Sequence, residues 1–115
     1  MTTPAEQVEA HRISVAQRLA VLEDEIAELR RDRAGEPADD EHDPEGVTLS
    51  AEWSRLEGLR VAAQDELAGI AAALDRVAAG TYGVCVDCGR VIPAGRLEAL
   101  PTATRCVECA AKASR

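Results

Sequence analysis

The chain has 115 residues, a net charge of −8 and charged residues at 30%. Phenylalanine is absent, and Trp53 and Tyr82 are the two aromatic residues, so Ala, Val, Leu and Ile supply most of the hydrophobic fraction of 46%. This composition favours helices packed along apolar seams over a β-sandwich. The acidic balance argues against nonspecific binding to DNA or RNA. No run approaches about 20 apolar residues and we find no signal peptide, so we expect a cytoplasmic protein.

The first predicted element is a helix over about residues 4–34. Thr3 is suited to cap it, Pro4 suits its first position and Gly35 suits its end. Apolar residues within it recur at alternating spacings of four and three, which is the heptad pattern of a coiled coil. This seam comprises Val15, Leu19, Leu22, Ile26 and Leu29, with an extension back to Val8.

A second helix with the same pattern is predicted from a cap at Thr48 or Ser50 to a stop at Gly80. Its seam comprises Leu49, Trp53, Leu56, Arg60, Ala63, Leu67, Ile70, Leu74 and Val77. Two seams of equal length joined by a dozen residues predict an antiparallel coiled-coil hairpin, with an intermolecular coiled coil as the alternative. We therefore expect residues 1–80 to form a hairpin with an acidic tip loop at 35–47.

The connection between the two helices concentrates the negative charge of the chain. Residues 35–46 carry six acids and no bases, together with two prolines and two glycines that interrupt a helix. In a hairpin this loop is the distal tip, about 45 Å from the far helix ends at 1.5 Å per residue. A solvated acidic turn accounts for such a run. Alternatively, carboxylates on a probe approach a bound cation or the basic channel of a partner.

All four cysteines lie in the last third of the chain, as two C-x-x-C pairs separated by seventeen residues: Cys85, Cys88, Cys106 and Cys109. This spacing predicts a structural zinc site of four thiolates. Two disulfides, redox pairs or an iron site are the alternatives, and paired cysteines of a cytosolic protein favour the metal. A catalytic zinc is disfavoured because four cysteines leave no position for water. We therefore expect residues 81–115 to form a four-cysteine zinc finger and C-terminal tail, with a short terminal helix.

Residues 80–109 resemble the zinc finger of the DksA/TraR family of bacterial transcription factors. The resemblance rests on dense matching of short motifs, and the order of hairpin and zinc module is also similar to the family. The matching positions are the G-x-Y-G-x-C-x-x-C-G run of Gly80 to Gly89, Ile92, Arg96 to Ala99, Pro101 to Ala103, Cys106 and Cys109.

The resemblance implies a mainly α protein that binds RNA polymerase and does not bind DNA. Family members insert the hairpin into the secondary channel, so that acidic tip residues approach the catalytic magnesium and change promoter complexes. The family's tip motif, D-x-x-D-x-A, matches Asp40 and Asp43 but places Glu45 where Ala is expected, and Asp39 is a further candidate. The departure at Glu45 bears on the regulatory output more than on docking.

Some family members also bind guanosine tetraphosphate through basic residues beside the zinc module. The matching positions here are Gly69, Leu100 and Ala110, which cannot attract a phosphate-rich ligand by charge. Together, the resemblance and the sequence predict a monomeric, non-enzymatic regulator of RNA polymerase without that alarmone site. The alternatives are a dimeric coiled-coil and zinc-finger adaptor protein, a nucleic-acid-binding zinc ribbon and a thiol oxidoreductase.

Overall fold

The computed structural model describes residues 2–34 and 44–114, and the side chains of 2–32 and 49–114. The described residues form four helices and no strand: α1 Pro4–Ala34, α2 Pro44–Ala79, α3 Ala94–Ala99 and α4 Val107–Ala113. Val84 and Val91 form an isolated antiparallel bridge. The fold is the predicted one, a mainly α coiled-coil hairpin followed by a small four-cysteine module with a short C-terminal helix.

The start of α1 follows the predicted capping pattern. Thr3 Oγ1 accepts a hydrogen bond from the Glu6 N–H at 3.1 Å, and Pro4 is the first helical residue. A side-chain oxygen in this position satisfies one of the backbone donors that a helix start leaves without a partner. The N-terminal boundary of α1 was therefore readable from sequence.

The start of α2 differs from the prediction. The helix begins at Pro44, ahead of the predicted caps at Thr48 and Ser50. From sequence, Pro44 is expected to interrupt a helix, but proline at the first helical position forfeits no hydrogen bond and has a suitable φ. The last residues of the predicted loop, among them Glu45, consequently belong to the first turn of α2.

The end of α2 is a Schellman motif built on Gly80. Gly80 has a φ of +77°, which is unfavourable for residues with a side chain. Its N–H donates to the Val77 carbonyl at 3.2 Å. The next N–H, of Thr81, donates to the Arg76 carbonyl at 2.9 Å. These bonds satisfy two terminal carbonyls and confirm the predicted stop.

The chain divides into two compact units, one of residues 1–14 with 67–115 and one of residues 15–66. Both long helices contribute to both units. Each unit groups residues that lie close together in space. The predicted division at residue 80 instead separates the coiled-coil hairpin from the cysteine module, and it stays a prediction. None of the helices in the described ranges combines the length and apolarity needed to cross a bilayer.

In the unit of residues 15–66, the two helices pack antiparallel. Arg18 of α1 pairs with Glu66 of α2 at 3.3 Å, and the Arg30 guanidinium lies 5.3 Å from the centroid of the Trp53 ring. Partner numbers fall along α2 as they rise along α1, which defines the antiparallel direction. Among residues 15–32 and 49–66, whose side chains the structure describes, the buried ones all belong to the predicted seams: Val15, Leu22, Ile26, Leu29, Leu56 and Ala63.

A polar layer interrupts that seam at Arg60. The Arg60 Nε–H donates to Glu57 Oε2 at 3.2 Å, and this pairing raises the pKa of Arg60, with a smaller contribution from Glu23 on α1. Glu23, Arg30, Glu57 and Arg60 line a recess of about 270 Å³. A charged layer in an apolar seam commonly sets register at a cost in stability.

We expect Arg60→Leu to raise the thermal unfolding midpoint by a few degrees, because leucine continues the seam between Leu56 and Ala63. The measurement is circular dichroism at 222 nm on the whole chain. Arg55→Leu is the matched control, since Arg55 makes the same pairing three residues from Glu52. It lies outside the seam, so its removal should not stabilise. A lower midpoint for Arg60→Leu than for Arg55→Leu would contradict the seam assignment.

The unit of residues 1–14 and 67–115 joins the start of α1 and the end of α2 to the cysteine module. Tyr82 Oη donates to the Pro101 carbonyl at 2.8 Å, and Gln7 Nε2 donates to the Leu97 carbonyl at 3.1 Å. The buried hydrophobic residues of this unit come from the helices and from the module: Val8, Ile70, Ala73, Cys85, Ile92 and Ala103. The module therefore shares a small core with the helix ends.

Candidate metal centre

The first cysteine pair lies in a tight knuckle between Val84 and Val91. The Cys85 N–H donates to the Arg90 carbonyl at 2.8 Å, and the Gly89 N–H donates to the Cys85 carbonyl at 3.0 Å. Gly89 has a φ of +75°, in the left-handed region that glycine adopts without steric cost. The local backbone thus turns sharply enough to bring Cys85 and Cys88 to one side.

The second pair lies at the start of α4. Cys106 is the residue before the helix, with extended backbone angles of φ −69° and ψ 166°, and Cys109 lies in the first turn. The Ala110 N–H donates to the Cys106 carbonyl at 2.9 Å, which closes that turn. A residue before a helix and a residue three positions later lie on one face, so both sulfurs can point the same way.

The two knuckles bring all four sulfurs together. Every pair of Sγ atoms among Cys85, Cys88, Cys106 and Cys109 lies within 4.8 Å, and the Cys88 and Cys106 sulfurs are 3.9 Å apart. A tetrahedral zinc with Zn–S bonds of 2.3 Å requires sulfur–sulfur edges of about 3.8 Å. The donor set therefore fits a four-thiolate zinc ion in chemistry and in spacing.

The sulfurs already differ in acidity because of their hydrogen bonds. Backbone hydrogen bonds, led by that of Cys88 and followed by that of Cys106, lower the pKa of Cys85 to about 6. Hydrogen bonding to neighbouring thiols, Cys106 first, raises the pKa of Cys109 to about 12. Backbone N–H groups aimed at sulfur stabilise thiolate, whereas four crowded thiolates repel one another. A divalent cation removes that repulsion.

Comparison with known proteins assigns the module. Residues 80–115 match the prokaryotic dksA/traR C4-type zinc finger. Transcription factor DksA2 from Pseudomonas aeruginosa has a similar structure, with a TM-score of 0.81, 25% identity, and coverage of 96% of this chain and 80% of that one. The chain belongs to the DksA/TraR family. Structural zinc is accordingly the cofactor, as predicted.

Two further proteins share sequence with this member of the DksA/TraR family. The DnaK suppressor protein from Agrobacterium tumefaciens C58 is 33% identical, with coverage of 91% of this chain and 92% of that one and a TM-score of 0.46. An uncharacterized protein of Aquifex aeolicus (strain VF5) is 44% identical over 43 residues, which are 37% of this chain. The match spans 30% of that relative's length.

Unlike the cysteines, the predicted tip residues have no side chains among those that the structure describes. Asp39, Asp40 and Asp43 lie outside the described residues. Glu45 lies in the first turn of α2, and its side chain is likewise outside the described part. Their roles at the tip therefore stay a prediction.

Three polar residues join parts of the module through contacts that the sequence did not predict. From sequence, Arg96 was noted only among the positions that match the family, and Asp87 and Arg105 were given no role. The Arg105 Nε–H donates to Asp87 Oδ2 at 2.6 Å, and the Arg96 Nε–H donates to the Arg105 carbonyl at 2.8 Å. The one available signal was proximity in sequence, since Asp87 lies inside one cysteine pair and Arg105 adjoins the other.

A glycine ahead of the first knuckle should be sensitive to substitution. Gly83 has a φ of +80°, and an added Cβ would lie 3.3 Å from Leu97 Cδ1. We expect Gly83→Ala to destabilise the module by about 1–2 kcal/mol, the usual cost of a left-handed non-glycine residue. Gly95→Ala is the control, because Gly95 is helical with open space around it. Urea unfolding of the zinc-loaded chain should separate the two variants, and equal midpoints would contradict this reading.

Proposed function

We propose that this chain is a transcription regulator that binds RNA polymerase directly and inserts its coiled coil into the secondary channel to modulate initiation, without binding DNA. Family membership supports the transcription-factor role. The observation that carries the finer proposal is the likeness to transcription factor DksA2, because it spans hairpin and zinc module together. A likeness confined to the zinc finger would support only a shared metal site.

Each part of the chain has a place in this proposal. The four cysteines hold a structural zinc that fixes the module against the helix ends. The tip carboxylates act where the channel approaches the polymerase active site, and the proposed tip residues are Asp39, Asp40, Asp43 and Glu45. Six acids within 35–46 supply a focused negative charge that suits a site containing metal ions.

The residues of the zinc module favour neither catalysis nor binding of guanosine tetraphosphate. A zinc with four thiolates has no open position for water or substrate, so we propose no catalytic turnover. Gly69, Leu100 and Ala110 offer no positive charge to guanosine tetraphosphate. The intrachain packing of α1 on α2 within residues 15–66 supports a monomer, and the place of action is that of the polymerase, the cytoplasm.

The experiment is a pull-down of purified RNA polymerase by the zinc-loaded chain at low salt, where charge attraction is strongest. Native protein and the Asp40→Ala, Asp43→Ala double variant should both bind, because the tip carries output rather than docking. Sedimentation of the free chain should show a monomer. No binding by either protein would overturn the polymerase proposal, and a stable dimer would favour the adaptor alternative.

A further inference from the structure

The two cysteine knuckles lie side by side in a constant register. The Val86 N–H donates to the Thr104 carbonyl at 2.9 Å. One residue further along each segment, Asp87 Oδ2 accepts from the Arg105 Nε–H at 2.6 Å. One residue further again, the sulfurs of Cys88 and Cys106 lie 3.9 Å apart. The three successive contacts share an offset of 18 residues, so the segments run parallel and unshifted.

Arg105 forms hydrogen bonds through both its side chain and its backbone carbonyl. Its side chain contacts Asp87 in the first knuckle, while its backbone carbonyl accepts from the Arg96 Nε–H of α3 at 2.8 Å. That carbonyl belongs to the peptide unit that leads into Cys106. Because a peptide unit is planar, fixing its carbonyl also restricts the direction in which the backbone enters Cys106.

The zinc shell needs such a constraint between the knuckles. Each C-x-x-C pair sets the spacing of its own two sulfurs, but seventeen residues separate the pairs. A shift of one residue between the segments would carry the second pair about 3.3 Å along the first, which is far outside the tolerance of a Zn–S bond. A contact between the segments therefore contributes to metal affinity even though it touches no metal.

We propose that Asp87 and Arg105 are positioning residues of the zinc site, whose ion pair sets the register of the two knuckles and so slows zinc release. This role belongs to the metal site and does not depend on polymerase binding. Both side chains are partly exposed, at 44% for Asp87 and 41% for Arg105. Pairs of this exposure contribute modestly, so we expect zinc release to accelerate by roughly two- to five-fold when the pair is broken.

The test measures the rate at which the zinc-loaded chain transfers its metal to an excess of a chromophoric chelator. The variants are Arg105→Ala, Asp87→Ala, their combination, and the charge swap Asp87→Arg with Arg105→Asp. Arg105→Gln is included because it removes the charge with less loss of packing. Arg12→Ala is the matched control, because Arg12 pairs with Glu9 at a similar exposure, 45% and 43%, but lies on α1 rather than in a cysteine knuckle.

Each single variant that breaks the pair should release zinc roughly two- to five-fold faster than the native chain, and Arg12→Ala should release it at the native rate. The double variant should be no faster than the singles, since both remove one interaction. The charge swap should restore slow release. In 1 M salt, the difference in zinc-release rate between the native chain and the single variants should become smaller. The visible spectrum of the cobalt-loaded variants should keep four-thiolate absorption, which separates a positioning effect from a lost ligand.

Three outcomes would overturn the proposal. Release from Arg105→Ala and Arg105→Gln at the rate of Arg12→Ala would show that the pair has no effect on the site. Additive effects in the double variant would show that Asp87 and Arg105 act independently. A charge swap as fast as the singles would show that the ion pair is not what holds the register.

Discussion

Cys106→Ser should unfold the zinc module while leaving the hairpin helical. The buried hydrophobic residues that the module itself contributes are Cys85, Ile92 and Ala103, one of which is a cysteine of the metal site. So small a core cannot stabilise about 35 residues, and the metal supplies most of the folding free energy. Hydrogen exchange followed by mass spectrometry should show loss of protection over 80–115 and retention over 15–66.

Val107→Ser is the control for this prediction. It introduces the same side chain into the next position of the chain, where Val107 is 60% exposed. Its exchange pattern should match that of the native protein. Treatment of the native chain with a strong zinc chelator should reproduce the effect of Cys106→Ser. Undiminished protection of 80–115 in the cysteine variant would contradict a structural role for the metal.

The second large effect is expected at the tip. The double variant Asp40→Ala, Asp43→Ala should still bind polymerase. The change that it causes in promoter-complex lifetime should be at least about ten-fold smaller than the change that the native chain causes. The proposed function places these two carboxylates near metal ions in a confined, poorly solvated channel, where charge interactions are stronger than in water. The measurement is decay of competitor-challenged promoter complexes in the presence of each protein.

A variant that removes the same charge elsewhere provides the comparison. Asp65 and Asp75 are exposed residues of α2, and replacing both with alanine changes the net charge by the same amount as the tip variant. Asp65→Ala, Asp75→Ala should keep the native effect on lifetime. Equal losses in the two double variants would mean that overall charge, rather than the tip, carries the output.

Sequence periodicity predicted the fold because the coiled coil repeats one simple rule. The seam residues Val15, Leu22 and Leu56 are buried where heptad spacing placed them, and the glycine stop at Gly80 has the expected left-handed backbone. The cysteine site was equally accessible, since two short pairs at a suitable separation leave few arrangements for four thiols. In each case the signal lies in spacing along the chain.

The features that sequence missed depend on contacts in space. Ala73 is fully buried beside Ile70. Because residues 71–73 are all alanine, the sequence does not show which of the three faces the core. Pro44 reads as a breaker or as a first helical residue depending on what surrounds it. The contact of Asp87 with Arg105 joins residues 18 apart through a fold that neither local pattern encodes.

Site-specific photo-crosslinking tests the central claim most directly. A benzophenone amino acid at position 41, within the acidic tip, should crosslink to polymerase segments that line the secondary channel and the active site. The same probe at the exposed position 107 of the zinc module should crosslink elsewhere on the enzyme. Crosslinks from position 41 confined to the outer surface of a polymerase that the chain does bind would contradict insertion of the coiled coil.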